Sequence, residues 1–178
     1  MKWGNSANHW GLLSRLIHWF TAVAVFFMFG LGLTMINMRL SPMKLEMFIV
    51  HKSVGMLLLL VIIFRVIWRL LNPAPRPSSH LSNFQSKMVF FGQLFMYALL
   101  FAIPISGWVI NSAANFPLRW FGLFEIPALT EPSIVIEDYA KTAHLILICM
   151  LGAMIIMHIT AALHHHWIKR NDILKRML

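Results

Sequence analysis

His144 and His158 stand fourteen residues apart in a stretch, 142–168, that contains no Asp, Glu, Lys or Arg. On a helix rising about 1.5 Å and turning about 100° per residue, that interval separates them by roughly 21 Å along the axis and only about 40° around it. A polar imidazole inside a membrane segment is costly, and by default it marks a site. Imidazole is also the commonest metal ligand among side chains. Two of them on one face at two depths predict ligands for two cofactors stacked across a bilayer.

The elements that carry these rings must cross a membrane. Of the 178 residues, 59% are hydrophobic and 12% charged, and the mean hydropathy is +0.72, outside the range of soluble domains. Lys and Arg number 15 against 6 Asp and Glu, a formal net charge of +9. Such a balance can signal nucleic acid, but the basic residues flank apolar spans instead of forming one stripe, so nucleic acid is excluded as a partner. Cys149 is the only cysteine, which rules out an intrachain disulfide and the CxxCH attachment of a c-type haem. Any haem is therefore held without covalent bonds.

At about 20 residues per crossing, the hydropathy predicts four helices over 16–38, 49–71, 88–110 and 142–167, an all-α membrane four-helix bundle spanning the whole chain as one domain. Arg65 and Arg69 occupy the last turns of the second span and read as snorkelling end markers. Pro104 and Gly107 predict a bend or close packing in the third. The start MKWGNSANHWGLLSRLIHW has no small-residue cleavage site after its apolar run, so the first helix is expected to be an uncleaved anchor. Segment 72–82 (NPAPRPSSHLS) reads as a proline- and serine-rich connector, and 111–139 as an outer loop partly in the interface.

Four crossings put both termini on one side. Ten basic residues, Lys2, Arg15, Arg65, Arg69, Arg76, Lys87, Lys169, Arg170, Lys175 and Arg176, fall on that side, against five (Arg39, Lys44, Lys52, Arg119, Lys141) on the other. The positive-inside rule makes the termini cytoplasmic. His18 then lies near the inner face, His51 near the outer, His144 outer and His158 inner. The four sort into depth-matched pairs, His18 with His158 and His51 with His144, and each pair can offer imidazoles to opposite faces of one haem iron in a bundle core. Structural zinc needs four converging ligands, and neither depth has a Cys or an acid to complete such a set. With both axial positions filled, iron has no open site for oxygen or peroxide chemistry. Two such haems pass electrons, joining a one-electron reactant on one side to a two-electron carrier such as a quinone on the other.

Further positions have two readings each. His165, seven residues beyond His158 and about 10 Å nearer the cytosol, either contacts a quinone carbonyl and supplies its proton or belongs with His164, His166 and Trp167 to an interfacial belt. Lys52 and Lys141 lie where an outer-face reactant or a haem propionate would be, and Arg15 and Arg69 where inner propionates would be. Ordinary anchoring at the membrane flank is the alternative for all four.

These residues together resemble the bacterial cytochrome b561 family. The matching features are LIHW around His18, His51 with Gly55 shortly after, the Arg65 and Arg69 pair, His144 and His158 followed by ALHHHW, and the tail NDILKRML. The resemblance implies two haems b on the four histidines, ubiquinone as partner and the bacterial inner membrane as location. One member of that family oxidises superoxide at the outer face and reduces ubiquinone, with a histidine at the position of His165 implicated near the quinone. Steering superoxide calls for a positive funnel, whereas five acids (Glu46, Glu125, Glu131, Glu137, Asp138) balance the five outer basic residues. The segment FGLFEIPAL resembles a different branch of the family. The leading expectation is a superoxide:ubiquinone oxidoreductase or a related dihaem oxidoreductase. A cytochrome b subunit relaying electrons between quinol and a periplasmic redox protein is the alternative, and a cofactor-free proton relay is a third class.

Overall fold

Each helix begins where a specific group satisfies its first amides. In the computed structural model, which describes residues 3–7, 9–76 and 82–177, α1 spans Leu12–Asn37, α2 Pro42–Leu71, α3 Asn83–Ala113 and α4 Ile134–Leu163. Ser41 accepts from the Lys44 amide and Pro42 occupies the first turn of α2, where its missing N–H is no loss. Ser82 and Gln85 form a reciprocal capping box on α3, and Ser133 caps α4 through the Ile136 amide at 3.4 Å. At α1 the carboxamide oxygen of Asn5 accepts from the Gly11 amide at 2.9 Å and from the Ser14 hydroxyl at 2.7 Å. A Cβ on Gly11 would collide with the Trp3 and Gly4 backbone, so the N-terminal segment can close on α1 only over a glycine.

The molecule is a membrane four-helix bundle, with four helices long and apolar enough to cross a bilayer. α1 packs on α2, α2 on α3 and α3 on α4. All four helices start before their expected spans: α1 at Leu12, α2 at Pro42, α3 at Asn83 and α4 at Ile134. Hydropathy detects only the lipid-embedded part of a helix. Lys44, Glu46, Glu137, Asp138 and Lys141 lie on helical turns that continue past it. Lys2 and residues 77–81 of the connector lie outside the described residues, as does the final residue of the NDILKRML tail.

The mid-depth of the bundle is a single apolar layer. Val25, Leu58, Leu99 and Leu151, one from each helix, form a buried cluster. Each stands seven residues, or two turns, from a polar residue on the same helix face: Val25 from His18, Leu58 from both His51 and Arg65, Leu99 from Ser106, and Leu151 from both His144 and His158. The same periodicity that buries the layer therefore aims the polar residues into the bundle above and below it.

The expected outer loop has structure of its own. Leu118–Trp120 (β1) and Phe124–Ile126 (β2) pair antiparallel, Trp120 opposite Phe124. The turn holds Phe121 at φ 48° and Gly122 at φ 76°; a left-handed aromatic residue is strained. Fully buried Ser53 of α2 anchors it, its hydroxyl accepting from the Phe121 amide at 2.9 Å while its carbonyl accepts from the Trp120 indole at 3.1 Å. The hairpin is thereby fastened to α2 two residues after His51.

At the opposite end, α4 gives way to a π-helical turn, His164–Ile168. The Lys169 amide donates to His164 and the Asn171 amide to His165, with Arg170 left-handed at φ 48° between them, an αL helix stop of the kind glycine usually supplies. The chain then folds back across the terminal end of the bundle, where the Met177 carbonyl accepts from the Trp19 indole at 3.1 Å and Arg176 donates to the Arg76 carbonyl at 3.0 Å.

Candidate functional site

His18 of α1 and His158 of α4 face each other at the terminal end of the bundle, with ring centroids 6.3 Å apart. A metal binds an imidazole nitrogen at about 2 Å, so two imidazoles on opposite sides of one ion hold their centroids roughly 6 Å apart. The 6.3 Å between the His18 and His158 centroids matches that spacing.

The two rings share a cavity of about 550 Å³, within the range of ordinary cofactor pockets. Val25, Leu100, Leu151 and Ile155 give it an apolar floor toward the central layer, and Ile173, Leu174 and Met177 of the folded-back C-terminus line it as well. Its polar wall is Arg65 and Arg69 of α2 with Gln93 and Tyr97 of α3. Arg65 lies 3.2 Å from His18 Nδ1 and over the Tyr97 ring at 5.3 Å. Arg69 donates to Gln93 at 2.9 Å and stands 5.9 Å from the Trp10 ring and 5.8 Å from the Tyr97 ring. The expectation that Arg65 only marks a span end is corrected, because residues 51, 58, 65 and 69 share one face of α2 and that face is turned inward.

His51 of α2 and His144 of α4, the second pair expected from depth, lie two residues before the hairpin anchor Ser53 and one turn past Lys141 respectively. His144 Nδ1 lies 2.8 Å from the Ser106 hydroxyl, which donates its own proton to the Ile103 carbonyl at 2.8 Å. The serine can then only accept from the ring, so Nδ1 carries the proton and Nε2 keeps its lone pair, the tautomer of a metal ligand with its rear nitrogen hydrogen-bonded. Gly107 makes room for the ring, since a Cβ there would sit 3.4 Å from His144 Cε1. The buried Nδ1 of His51 has no hydrogen-bond partner among the described residues.

The remaining candidates are placed differently. Arg69 lines the cavity and Arg15 does not. The Lys141 ammonium is held by Glu137 at 2.6 Å and Asp138 at 3.8 Å, and Lys52 lies over the Phe116 ring at 5.5 Å. His165 is outside the cavity lining, its Nδ1 2.9 Å from the Asn171 carboxamide. Sequence reasoning left Ser106, Gln93 and Tyr97 without a role and gave Arg65 only an anchoring one. The seven-residue steps from His51 to Arg65 and from Leu99 to Ser106 are the signal that reaches two of them.

Among the described residues, no group of three or more His, Cys, Asp or Glu converges on a metal-sized site. The donor sets are pairs, which suit a metal whose other four ligands come from a macrocycle. A haem fits at the terminal end in gap, cavity and polar wall, and the ligand tautomer at the hairpin end suits one as well. Comparison with known proteins bears on the same point, as a family model described as prokaryotic cytochrome b561 matches residues 9–178. The chain belongs to that family. It is 36% identical over 185 residues to cytochrome b561 homolog 2 of Escherichia coli (strain K12), covering 100% of this chain and 95% of the relative. It is also 27% identical over 165 residues to the probable superoxide oxidase CybB of Yersinia pestis, covering 91% of each. Membership makes it a bacterial multi-pass membrane protein of electron transfer, with haem b as cofactor.

Proposed function

We propose that the protein carries electrons across the bacterial inner membrane through two haems b, one between His18 and His158 and one between His51 and His144. The 6.3 Å between the His18 and His158 ring centroids, the spacing of two imidazoles on one metal ion, is the observation that supports this reading. Bound there, each haem supplies a one-electron iron couple with both axial positions filled. The protein's part is to aim the imidazoles, exclude water with the Val25, Leu58, Leu99 and Leu151 layer, and keep the two sites roughly 21 Å apart along α4. The excess of basic residues on the terminal side supports a cytoplasmic location for both termini.

The outer reactant that fits best is superoxide, the substrate named for the Yersinia pestis relative. Each superoxide gives up one electron to become dioxygen, and two such electrons with two protons convert ubiquinone to ubiquinol at the inner end. His165, with Nδ1 engaged by Asn171, offers Nε2 as a proton donor to a quinone carbonyl. Lys52, next to His51 and with no acid partner among the described residues, is an outer-side cation suited to attract an anion. The neutralisation of Lys141 by Glu137 and Asp138 favours a second reading, in which a periplasmic redox protein docks at this end and electrons pass between it and the quinone pool.

Stopped-flow measurement separates the two. Purified protein given a superoxide source and ubiquinone should show haem reduction faster than superoxide disappears by spontaneous dismutation, followed by reoxidation as ubiquinol forms. Haem reduction no faster than dismutation permits would remove superoxide and leave the docked-partner reading.

A further inference from the structure

The polar wall of the terminal-side cavity contains two cations and no anion. Arg65 and Arg69 are one helical turn apart, both are partly buried, and both lie within 6 Å of the same Tyr97 ring. The ion pairs among the described residues all belong to Lys141, so neither guanidinium has a carboxylate. Two like charges converging on one ring beside an apolar cavity repel each other and lose hydration. Gln93 and Tyr97 offset part of this through a carbonyl oxygen and a π face, but neither supplies a negative charge. The cavity therefore suits a ligand that carries carboxylates at the end facing α2 and α3.

Arg65 adds a second constraint. A guanidinium can only donate, so its 3.2 Å contact with His18 Nδ1 requires a lone pair on Nδ1 and leaves the ring proton on Nε2. Ligation through Nε2 needs the reverse, with Nδ1 protonated, as the Ser106 and Ile103 arrangement sets it at His144. The contact of Arg65 with His18 and ligation by His18 exclude one another. A carboxylate is the stronger acceptor for a guanidinium, since the bond is charge-assisted and can be bidentate.

We propose that Arg65 and Arg69, positioned by Tyr97 and Gln93, clamp the propionates of the terminal-side haem, and that Arg65 exchanges His18 for a propionate as the haem enters. Arg65 thereby couples carboxylate recognition to iron ligation, releasing His18 Nδ1 only when the haem's acidic edge is in place. This rests on the haem assigned above to His18 and His158.

The test is made on purified two-haem protein incubated with excess apomyoglobin as haem acceptor, following the loss of each haem spectroscopically. Arg65→Gln and Arg69→Gln should each speed loss of the terminal-side haem by about 10-fold or more, the range seen when groups behind a metal ligand are removed. The other haem should be unchanged, and the reduction potential of the affected haem should fall, because a neighbouring positive charge favours the ferrous state. Arg65→Lys should restore the potential more fully than the retention, keeping the charge without the fork. Protein depleted of haem and refilled with haem dimethyl ester, which has no carboxylate to draw Arg65 off His18, should hold the ester at the terminal-side site no more tightly in wild type than in Arg65→Gln. Loss rates within 2-fold of wild type, equal loosening of both haems, or an ester as sensitive to Arg65→Gln as haem itself would each overturn the clamp. Should His18→Ala remove no haem, the parent assignment fails; should it remove one haem while Arg65→Gln changes nothing, only the clamp fails.

Discussion

Replacing His51 or His144 by alanine removes the hairpin-side haem and leaves the terminal-side one, and replacing His18 or His158 does the converse. Haem per chain should fall from about two to about one in each variant, with the two members of a pair giving the same residual spectrum, as expected for separate sites between facing helices. The effect is large because each iron has only two protein ligands. Losing one leaves it five-coordinate on a single imidazole, a greater loss than the 10- to 100-fold that follows from removing a group behind a ligand. The apolar layer of Val25, Leu58, Leu99 and Leu151 keeps the sites independent, since it contains no polar group through which one could sense the other. The measurement is haem quantitation with a low-temperature spectrum of each variant. Equal loss of both haems from all four would mean that the histidines hold up the bundle instead of binding separate cofactors.

Gly107→Val should empty the hairpin-side site while every ligand remains in place. A Cβ at 107 would already be in van der Waals contact with the ring, 3.4 Å from His144 Cε1 and 3.8 Å from Nδ1, and valine adds two methyl groups for which that contact leaves no room. The ring must move, and ligand constellations lose function beyond about 0.5 Å of displacement. Haem occupancy at this site is expected to drop at least about 10-fold with the terminal-side haem retained, and Gly107→Ala should fall between valine and wild type. Haem analysis of the three proteins gives the ranking. A Gly107→Val protein with two haems at full occupancy would show that His144 does not ligate from this position.

The fold was legible to the extent that lipid dictates it. Long uncharged runs gave four helices, and the fourteen-residue interval from His144 to His158 put both rings on one helix face. Helix starts at Pro42 and Ile134 were missed because Ser41 and Ser133 act through capping, which hydropathy does not register, and the β hairpin because its anchor Ser53 lies 68 residues from Phe121 in sequence. The depth sorting that paired His18 with His158 followed from helix direction alone, and their rings do face each other. Arg65 escaped because a basic residue at a span end has an ordinary explanation in snorkelling; only the three-dimensional packing of α2 against Tyr97 of α3 and His18 of α1 shows it turned into the cavity. Likewise, the balance of charge on the outer side could be counted, but the ion pairs that neutralise Lys141 specifically could not.

Haem content of the purified wild-type protein tests the central claim most directly. A pyridine haemochrome assay against protein concentration, read beside the optical spectrum, should give two non-covalent haems b per chain, both low-spin and six-coordinate. One haem per chain, or none, would contradict the assignment of His18, His51, His144 and His158 to two iron sites.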